Sequence, residues 1–256
     1  MNKKVLIKAG IITAVAVIAL AVPLLTGLMK ISSVELEIQY PDNSVVINRQ
    51  DIMQELTKKY GDFTSYKRNQ VKTSEISDFL KKYNFVEKAT VSVSMTGILR
   101  ITVVQRLALV RVYTSKGQQY YIDSNMNTVN SQIPNQTADC FIASGNITDR
   151  PYGKIDTARH KDAYKIYKLA LMLHQDSVLS GWIAAIVKQN NSWYLIPSQG
   201  DYTITLGDTS QWQQELEKLH YLFDYSFSKN GWADYENIDL RFHNQAVCSK
   251  RQQIQQ

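Results

Sequence analysis

The chain has 256 residues, of which 44% are hydrophobic and 20% are charged, and its formal net charge is +6. The first 30 residues hold four lysines and no acid, which leaves 25 basic and 23 acidic residues in the rest of the chain. This nearly balanced body excludes a basic nucleic-acid-binding protein and is long enough for one large or two modest domains.

Residues 9–29 form an uncharged, mostly apolar run of 21 residues. As a helix that rises ~1.5 Å per residue, this run is long enough to cross a bilayer core of ~30 Å. Lys3, Lys4 and Lys8 precede the run, and short basic flanks stay on the cytoplasmic side. We therefore expect a single-pass inner-membrane protein with residues 1–8 in the cytoplasm and its body outside the inner membrane.

A cleaved signal peptide is the alternative interpretation of this segment. The segment has the three sequence features of a signal peptide: a basic start, an apolar stretch and the small-residue pattern Ala19-Leu20-Ala21. The apolar run continues to Met29, however, and is longer than a signal peptide needs, which favours a retained anchor. Pro23 is compatible with a membrane helix.

Hydrophobic periodicity predicts the order β-α-α-β-β between residues 33 and 105. Apolar and polar residues alternate over 34–40, Asn48 and Gly61 bound a first amphipathic helix, and a second helix opens near Thr73. Two alternating stretches on either side of Thr96-Gly97 predict a hairpin. Since neither helix can bury its apolar stripe alone, we expect a three-stranded sheet with both helices on one face.

The second half predicts an α+β domain that is built mainly on antiparallel strands. Residues 130–153 are rich in polar and turn-forming residues and suggest a long connection. A capping box of Ser210 and Gln213 opens the last helix. The expected strands are 107–113, 119–123, 183–188, 193–196, 202–206 and 235–247, and the expected helices are 157–175 and one that begins at 210.

No catalytic, cofactor-binding or metal-binding motif is present in the sequence. The four histidines are far apart and lack ligand spacing, so we expect no metal site, no cofactor and no small-molecule substrate. Cys140 and Cys248 form either one disulfide or two free thiols, and the sequence leaves both possibilities open. Asp239 and Arg241 lie on one face of the last strand, as a surface ion pair or as a partner contact.

The order of these features resembles the FtsQ/DivIB family of bacterial cell-division proteins. Residues 85–91, with the pattern Val-x-x-Ala-x-Val, are similar to the entry into the hairpin of a polypeptide-transport-associated (POTRA) domain. Tyr121-Ile122-Asp123 resembles the step that opens the family's second domain, and Leu206-Gly207 followed by Lys218-Leu219 also fits. The strongest likeness is residues 238–247, which resemble the family's terminal Asp-Leu-Arg-(Tyr/Phe) strand in its Bacteroidetes form.

Two positions depart from the family pattern. Val104-Gln105-Arg106 replaces a usual glutamate, and Phe242 stands where many members have tyrosine. The resemblance implies a cytoplasmic tail (1–8), a transmembrane helix (9–29), a POTRA-like domain (33–105), a β domain (106–248) and a C-terminal tail (249–256).

The resemblance also implies a non-catalytic scaffold at the division septum. Its expected partners are FtsB/DivIC-like and FtsL-like single-pass division proteins, which pair an extended segment with the strand 235–247. Arg241 and Phe242 would anchor the partner. The partner-binding residues that this implies are Tyr235, Ile238, Asp239, Arg241, Phe242, His243, Asn244, Gln245 and Val247.

Two other classes of function remain open. One is a POTRA-bearing adaptor in protein export or outer-membrane assembly, although the chain shows no array of amphipathic strands for a barrel. The other is an extracytoplasmic enzyme of unrecognised type, which would need converging titratable groups in a pocket.

Overall fold

In the computed structural model, the described residues are Val17, 27–42, 44–130, 137–227, 231–232 and 234–251. The chain divides into two compact units, Met1–Arg106 and Leu107–Gln256. Within the described residues, none of the helices has the length and apolar character needed to cross a membrane. Most of the predicted span 9–29 lies outside the described residues, as do residues 252–256 of the predicted tail.

The first unit follows the predicted order β-α-α-β-β. Two single turns of 3₁₀ helix, Phe63–Ser65 and Arg68–Gln70, lie between the two α-helices. The elements are β1 (Ser33–Gln39), α1 (Arg49–Tyr60), α2 (Thr73–Leu80), β2 (Val86–Val93) and β3 (Ile98–Gln105).

The ends of α1 have the predicted caps. The Asn48 side chain accepts a hydrogen bond of 2.8 Å from the Gln50 amide, which satisfies a free donor of the first turn. At the other end, Gly61 has φ of +74° and donates to the Thr57 carbonyl, a conformation that suits glycine.

The three strands form one sheet in the order β1-β3-β2, with β1 parallel and β2 antiparallel to β3. One face is apolar, and its Leu36 and Ile101 are register partners that are both buried. The opposite face is exposed and includes the Arg100–Glu35 ion pair at 3.1 Å. Both helices therefore bury their apolar residues against the same face, as the sequence predicts.

Gln105 occupies the position near which the family pattern has glutamate, and its amide group fits a neutral site. Its Oε1 accepts from the amides of Val46 and Ile47 at 2.8 and 2.9 Å, while its Nε2 donates to the Ser44 carbonyl at 2.8 Å. The side chain is buried, so these bonds satisfy polar groups that water does not reach.

The second unit contains a nine-stranded mixed sheet and three helices in the described residues. The elements of this unit are β4 (Ala108–Tyr113), β5 (Gln119–Asp123), β6 (Thr128–Asn130), β7 (Phe141–Gly145), α3 (Lys161–Gln175), α4 (Leu179–Trp182), β8 (Ile183–Gln189), β9 (Ser192–Pro197), β10 (Thr203–Leu206), α5 (Trp212–Leu222) with a π-helical turn (Phe223–Phe227), β11 (Tyr235–Asp239) and β12 (Val247–Lys250). The strand order in the sheet is β12-β11-β10-β9-β8-β7-β4-β5-β6.

The prediction of a long connection over residues 130–153 is wrong. β7 lies inside it and pairs in parallel with β4 on one side and β8 on the other. Phe141 and Ala143 are buried while Ile142 is exposed, so the alternation of a strand was present in the sequence. The polar residues on both sides hid this short signal.

Helix α3 begins at Lys161, four residues after the predicted start. Asp149, from outside the helix, accepts hydrogen bonds from the amides of Asp162 and Ala163 at 2.9 and 3.1 Å and so replaces a local cap. The buried face of the helix consists of Ala163, Ile166, Leu169, Ala170 and Leu173.

Gly145 marks a close approach of two strands. It has φ of +104°, and a Cβ built on it would collide with the carbonyl oxygen of Lys188 in the neighbouring strand β8. Gly117 also has a positive φ, +75°, but a Cβ there would meet no atom within 4 Å.

We expect Gly145→Ala to lower the free energy of unfolding by about 3 kcal/mol and Gly117→Ala by about 1 kcal/mol, because only the first adds a backbone clash to the left-handed strain. Urea unfolding of the two variants measures this difference. Equal losses would mean that β7 and β8 separate at no cost.

Candidate functional site

The sequence predicts one continuous strand over residues 235–247, but the structure divides this segment at the C-terminal end of the large sheet. β11 ends at Asp239, residues 240–246 form a turn, and β12 returns antiparallel. In this pairing Ile238 lies opposite Cys248, and Asp239 lies opposite Val247. Asn244 has φ of +55°, a conformation that asparagine adopts more readily than most residues. We call residues 240–246 the return turn.

The return of the chain decides which strand edge is open. β11 is paired on both sides, in parallel with β10 and antiparallel with β12, so it cannot accept another strand. β12 is the last strand of the sheet among the described residues. At the opposite end, the Thr128 amide of β6 donates to the Gly153 carbonyl at 2.7 Å, and an Asn127–Lys154 bridge covers the same edge.

One hydrogen bond shows which backbone groups of β12 point toward β11 and which point outward. The Arg251 amide donates to the Asp234 carbonyl at 2.8 Å, toward the β11 side. Amides alternate in direction along an antiparallel strand, so the Ser249 amide also points to β11. The amide and carbonyl groups of Cys248 and Lys250 then point outward, to a side on which the described chain places no further strand.

The structure separates the nine predicted partner-binding residues into two groups. Ile238 and Asp239 are buried and Tyr235 is half-buried, so these three serve the fold of β11. The exposed residues are Arg241, Phe242, His243, Asn244 and Gln245 of the return turn, together with Val247 of β12.

Sequence reasoning missed the edge residues Cys248, Ser249 and Lys250, because the predicted strand ended at Val247 and the predicted domain ended at Cys248. A signal that could have suggested the reversal before these residues is Asn244, since asparagine is frequent where a chain reverses.

Lys218 of α5 holds the return turn. Its ammonium group donates to the carbonyl oxygens of Leu240 and Phe242 at 2.6 and 2.7 Å and lies 3.5 Å from that of Gln245. A lysine ammonium has three donors and no acceptor, so three carbonyl groups match it. The sequence marked Lys218 only as part of a family resemblance.

Helix α5 is itself fixed to the end of β10 by a buried carboxylate. The Gly207 amide donates to both oxygens of Glu215, at 3.1 and 3.0 Å. A Cβ at Gly207 would lie 2.5 Å from Glu215 Oε1, so a larger residue here would displace the carboxylate. Burial raises the pKa of Glu215, and the hydrogen bond from Gly207 opposes that rise.

Asp239 and Arg241 form a bidentate ion pair at the start of the return turn. Arg241 Nε lies 2.9 Å from Asp239 Oδ1, and Arg241 Nη2 lies 2.6 Å from Oδ2. The bonds from the Arg241 side chain lower the pKa of Asp239, although burial opposes this. The guanidinium is thus oriented by its own chain while it remains 54% exposed.

The last turn of α5 is fixed by a second contact. His220 Nδ1 lies 2.7 Å from Asp176, which precedes α4, and its Nε2 lies 3.3 Å from Asp224. The hydrogen bond to Asp176 is the main cause that raises the pKa of His220. Burial works to raise the pKa of Asp176, but bonds from Leu179, His220 and Val178 outweigh it, and that pKa is lowered.

The predicted ion pair between residues 239 and 241 is present, and both cysteines are free thiols. The described part of the chain brings together no group of three His, Cys, Asp or Glu side chains that could hold a metal ion. The described site is therefore an open strand edge with an oriented turn beside it, which is the geometry of an interaction domain.

A family model described as FtsQ/DivIB, C-terminal related, matches residues 108–249, which is more than half of the chain. The chain therefore belongs to this family, as the sequence resemblance indicates. FtsQ/DivIB is a non-catalytic scaffold family that acts in the cell-division complex with other proteins, so membership supports a role in cell division. A search of curated proteins gave no significant match.

Replacing the ammonium group of Lys218 tests its role in the return turn. We expect Lys218→Met to lower the free energy of unfolding by about 1–2 kcal/mol and to speed amide exchange in β12 about tenfold, because the carbonyl groups lose a charged donor. Lys161→Met, on the exposed start of α3, is the control. Unchanged amide exchange in β12 would show that the return turn is stable without the Lys218 ammonium group.

The His220 contact predicts a pH-dependent stability. In the folded state, the pKa of His220 is raised above its ordinary value of 6.5. The stability that the contact contributes is therefore complete below about pH 6 and is lost as the pH rises through the folded pKa. The stability lost in His220→Gln is thus expected to be larger at about pH 5.5 than at about pH 9. Urea unfolding at both pH values measures it, with the exposed His174→Gln as control.

Proposed function

We propose that this protein is a bitopic inner-membrane scaffold of the bacterial division machinery. Residues 9–29 anchor it, the short basic tail stays in the cytoplasm, and the two folded units lie on the periplasmic side at the septum. It binds FtsB/DivIC-like and FtsL-like single-pass division proteins by strand pairing. Family membership and the charge asymmetry around the apolar run support this proposal.

The observation that carries the proposed mechanism is the open edge of β12. An extended partner segment would accept and donate hydrogen bonds at Cys248 and Lys250, whose backbone groups point away from β11. The partner strand would become the tenth strand of the sheet. This changes the sequence-based expectation, because β11 is already paired on both sides and β12 takes its place.

Side chains on the face of this edge that is opposite the apolar core would give the pairing its specificity. Strand register places Tyr194, Thr205, Asp239 and Val247 in one row across four strands. Val247 ends this row and is 40% exposed, so a partner side chain in the added strand would lie directly beside it. A β-branched or aromatic partner residue suits that position.

The return turn would add contacts beyond the strand. Phe242 is 45% exposed although it is aromatic, which suits an apolar anchor for the partner. Arg241 is held by Asp239 and stays accessible, so it can still receive a partner carboxylate on its free side. Arg241 therefore has a structural role as well as the proposed binding role.

A proline substitution tests strand pairing directly. Lys250→Pro removes one outward backbone donor, whereas Lys250→Ala removes the side chain and keeps that donor. We expect Lys250→Pro to reduce recovery of the FtsB/DivIC-like partner from detergent-solubilised membranes at least tenfold, since hydrogen bonds to the edge supply the affinity. Lys250→Ala should retain most of the recovery.

Circular dichroism of both variants controls for folding. Equal recovery with Lys250→Pro and wild type would contradict pairing at β12. Recovery of outer-membrane assembly factors in place of division proteins would favour the export adaptor instead.

A second substitution tests the apolar anchor. Phe242→Ser should weaken partner binding about tenfold and leave the melting temperature nearly unchanged, because the ring is half in solvent. Tyr152→Ser removes a fully exposed aromatic residue elsewhere in the same unit and serves as the matched control. Binding by full-length protein in detergent to the immobilised partner measures both, and equal effects would place the anchor elsewhere.

A further inference from the structure

The segment that follows the apolar run is fastened directly to the first unit. The Arg68 amide donates to the Met29 carbonyl at 2.8 Å, and the Ile31 amide donates to the Tyr66 carbonyl at 3.0 Å. These bonds flank an antiparallel bridge between Lys30 and Lys67. Because Ile31 is also buried, the folded unit begins within two residues of Met29.

The tip of the β2–β3 hairpin lies against the same segment. The Ser32 amide donates to the Gly97 carbonyl at 2.9 Å, and Ser32 Oγ donates to the Thr96 carbonyl at 3.3 Å. A Cβ at Gly97 would lie 2.6 Å from the Lys30 carbonyl oxygen, so the two backbones are in close contact. The hairpin tip and the 66–68 segment therefore share one end of the first unit.

This end combines apolar and basic side chains. Leu28, Met29 and Met95 are 53%, 46% and 64% exposed. The acids that flank residues 66–68 in the sequence are engaged, since Asp62 accepts from Thr64 and Glu75 pairs with Lys72. We call the following six residues the entry surface: Leu28, Met29, Lys30, Lys67, Arg68 and Met95.

We propose that the entry surface rests on the membrane and binds the headgroups of anionic phospholipids. The inference rests on the proposed function, because it takes residues 9–29 to be a membrane anchor. It goes further in assigning lipid contacts to the folded unit itself. The apolar run ends at Met29, which places that residue at the boundary between hydrocarbon and headgroups.

The pairing with Lys67 sets the depth of the remaining residues. Partners across an antiparallel bridge lie about 5 Å apart, so Lys67 must be at nearly the same depth as Lys30. Lysine side chains at this level reach phosphate groups while their stems cover apolar surface. Met95, on the hairpin tip that approaches Lys30 through Gly97, would enter the apolar boundary.

Accessibility of the hairpin tip in vesicles tests this contact. The probe is full-length protein carrying Cys140→Ser, Cys248→Ser and Met95→Cys, labelled at the new thiol with an environment-sensitive dye. It is reconstituted into vesicles of phosphatidylcholine alone or with added phosphatidylglycerol. We expect quenching of the dye by acrylamide, which is neutral, to fall about threefold in the anionic vesicles and to recover at high salt.

A matched pair of charge reversals separates this contact from general attraction. Lys67→Glu should restore the quenching, whereas Lys88→Glu should not. Lys88 is exposed on β2 seven residues before Met95, about 24 Å away along the strand.

Equal quenching in both kinds of vesicle, or equal effects of the two reversals, would overturn the lipid contact. Protection that develops only when a division protein is added would overturn it too, since the surface would then bind protein. If alkaline carbonate strips the chain from the vesicles, the anchor fails, and both this inference and the proposed function fall. Retention with unprotected dye refutes the lipid contact alone.

Discussion

The ammonium group of Lys218 donates to the carbonyl oxygens of Leu240 and Phe242, and the form of the sheet's free end depends on that contact. Without it, the return turn would lack a fixed connection to α5. Helix α5 is in turn fixed to β10 through Glu215 and to the start of α4 through His220. A few polar contacts therefore determine that β12, and not β11, is the terminal strand. These contacts are costly to break because the groups around Glu215 and Asp239 are buried.

The two edge strands of the large sheet, β6 and β12, differ in whether other parts of the described chain cover them. The Pro151–Ile155 segment covers the β6 edge through the contacts of Thr128 and Asn127, as expected for an edge protected from pairing. β12 has no such cover in the described chain, although an exposed edge is a hazard for aggregation. An uncovered edge beside an oriented turn is what a division scaffold needs, if it captures extended segments of its partners.

Much of the fold follows from periodicity. The order β-α-α-β-β, the caps of α1 and several strands of the second unit were predictable, because each depends on residues close in sequence. The sequence-based predictions failed where residues far apart in the sequence determine the boundaries of an element. Asp149 sets the start of α3, and the capping box expected of Ser210 and Gln213 is absent because α5 begins at Trp212 with Gln211 before it.

The candidate site shows the same limit. The pattern of Ile238, Leu240 and Phe242 alternates as in one continuous strand, but Lys218 bends the chain after Asp239. The family resemblance led to this end of the sheet, but it took β11, the return turn and the start of β12 to be one strand. Asn244 hints at a reversal of the chain, but no local signal in the sequence shows that Lys218, 22 residues before Leu240, holds this turn. The structure was therefore needed to identify the open edge.

Amide hydrogen exchange of full-length protein with and without the FtsB/DivIC-like partner is the most direct test of the central claim. Strand pairing at β12 predicts that the amides of Cys248 and Lys250 become protected by about tenfold or more when the partner binds, while the amide of Ser249, already directed to β11, changes little. Binding of the partner without protection of Cys248 and Lys250 would contradict the account.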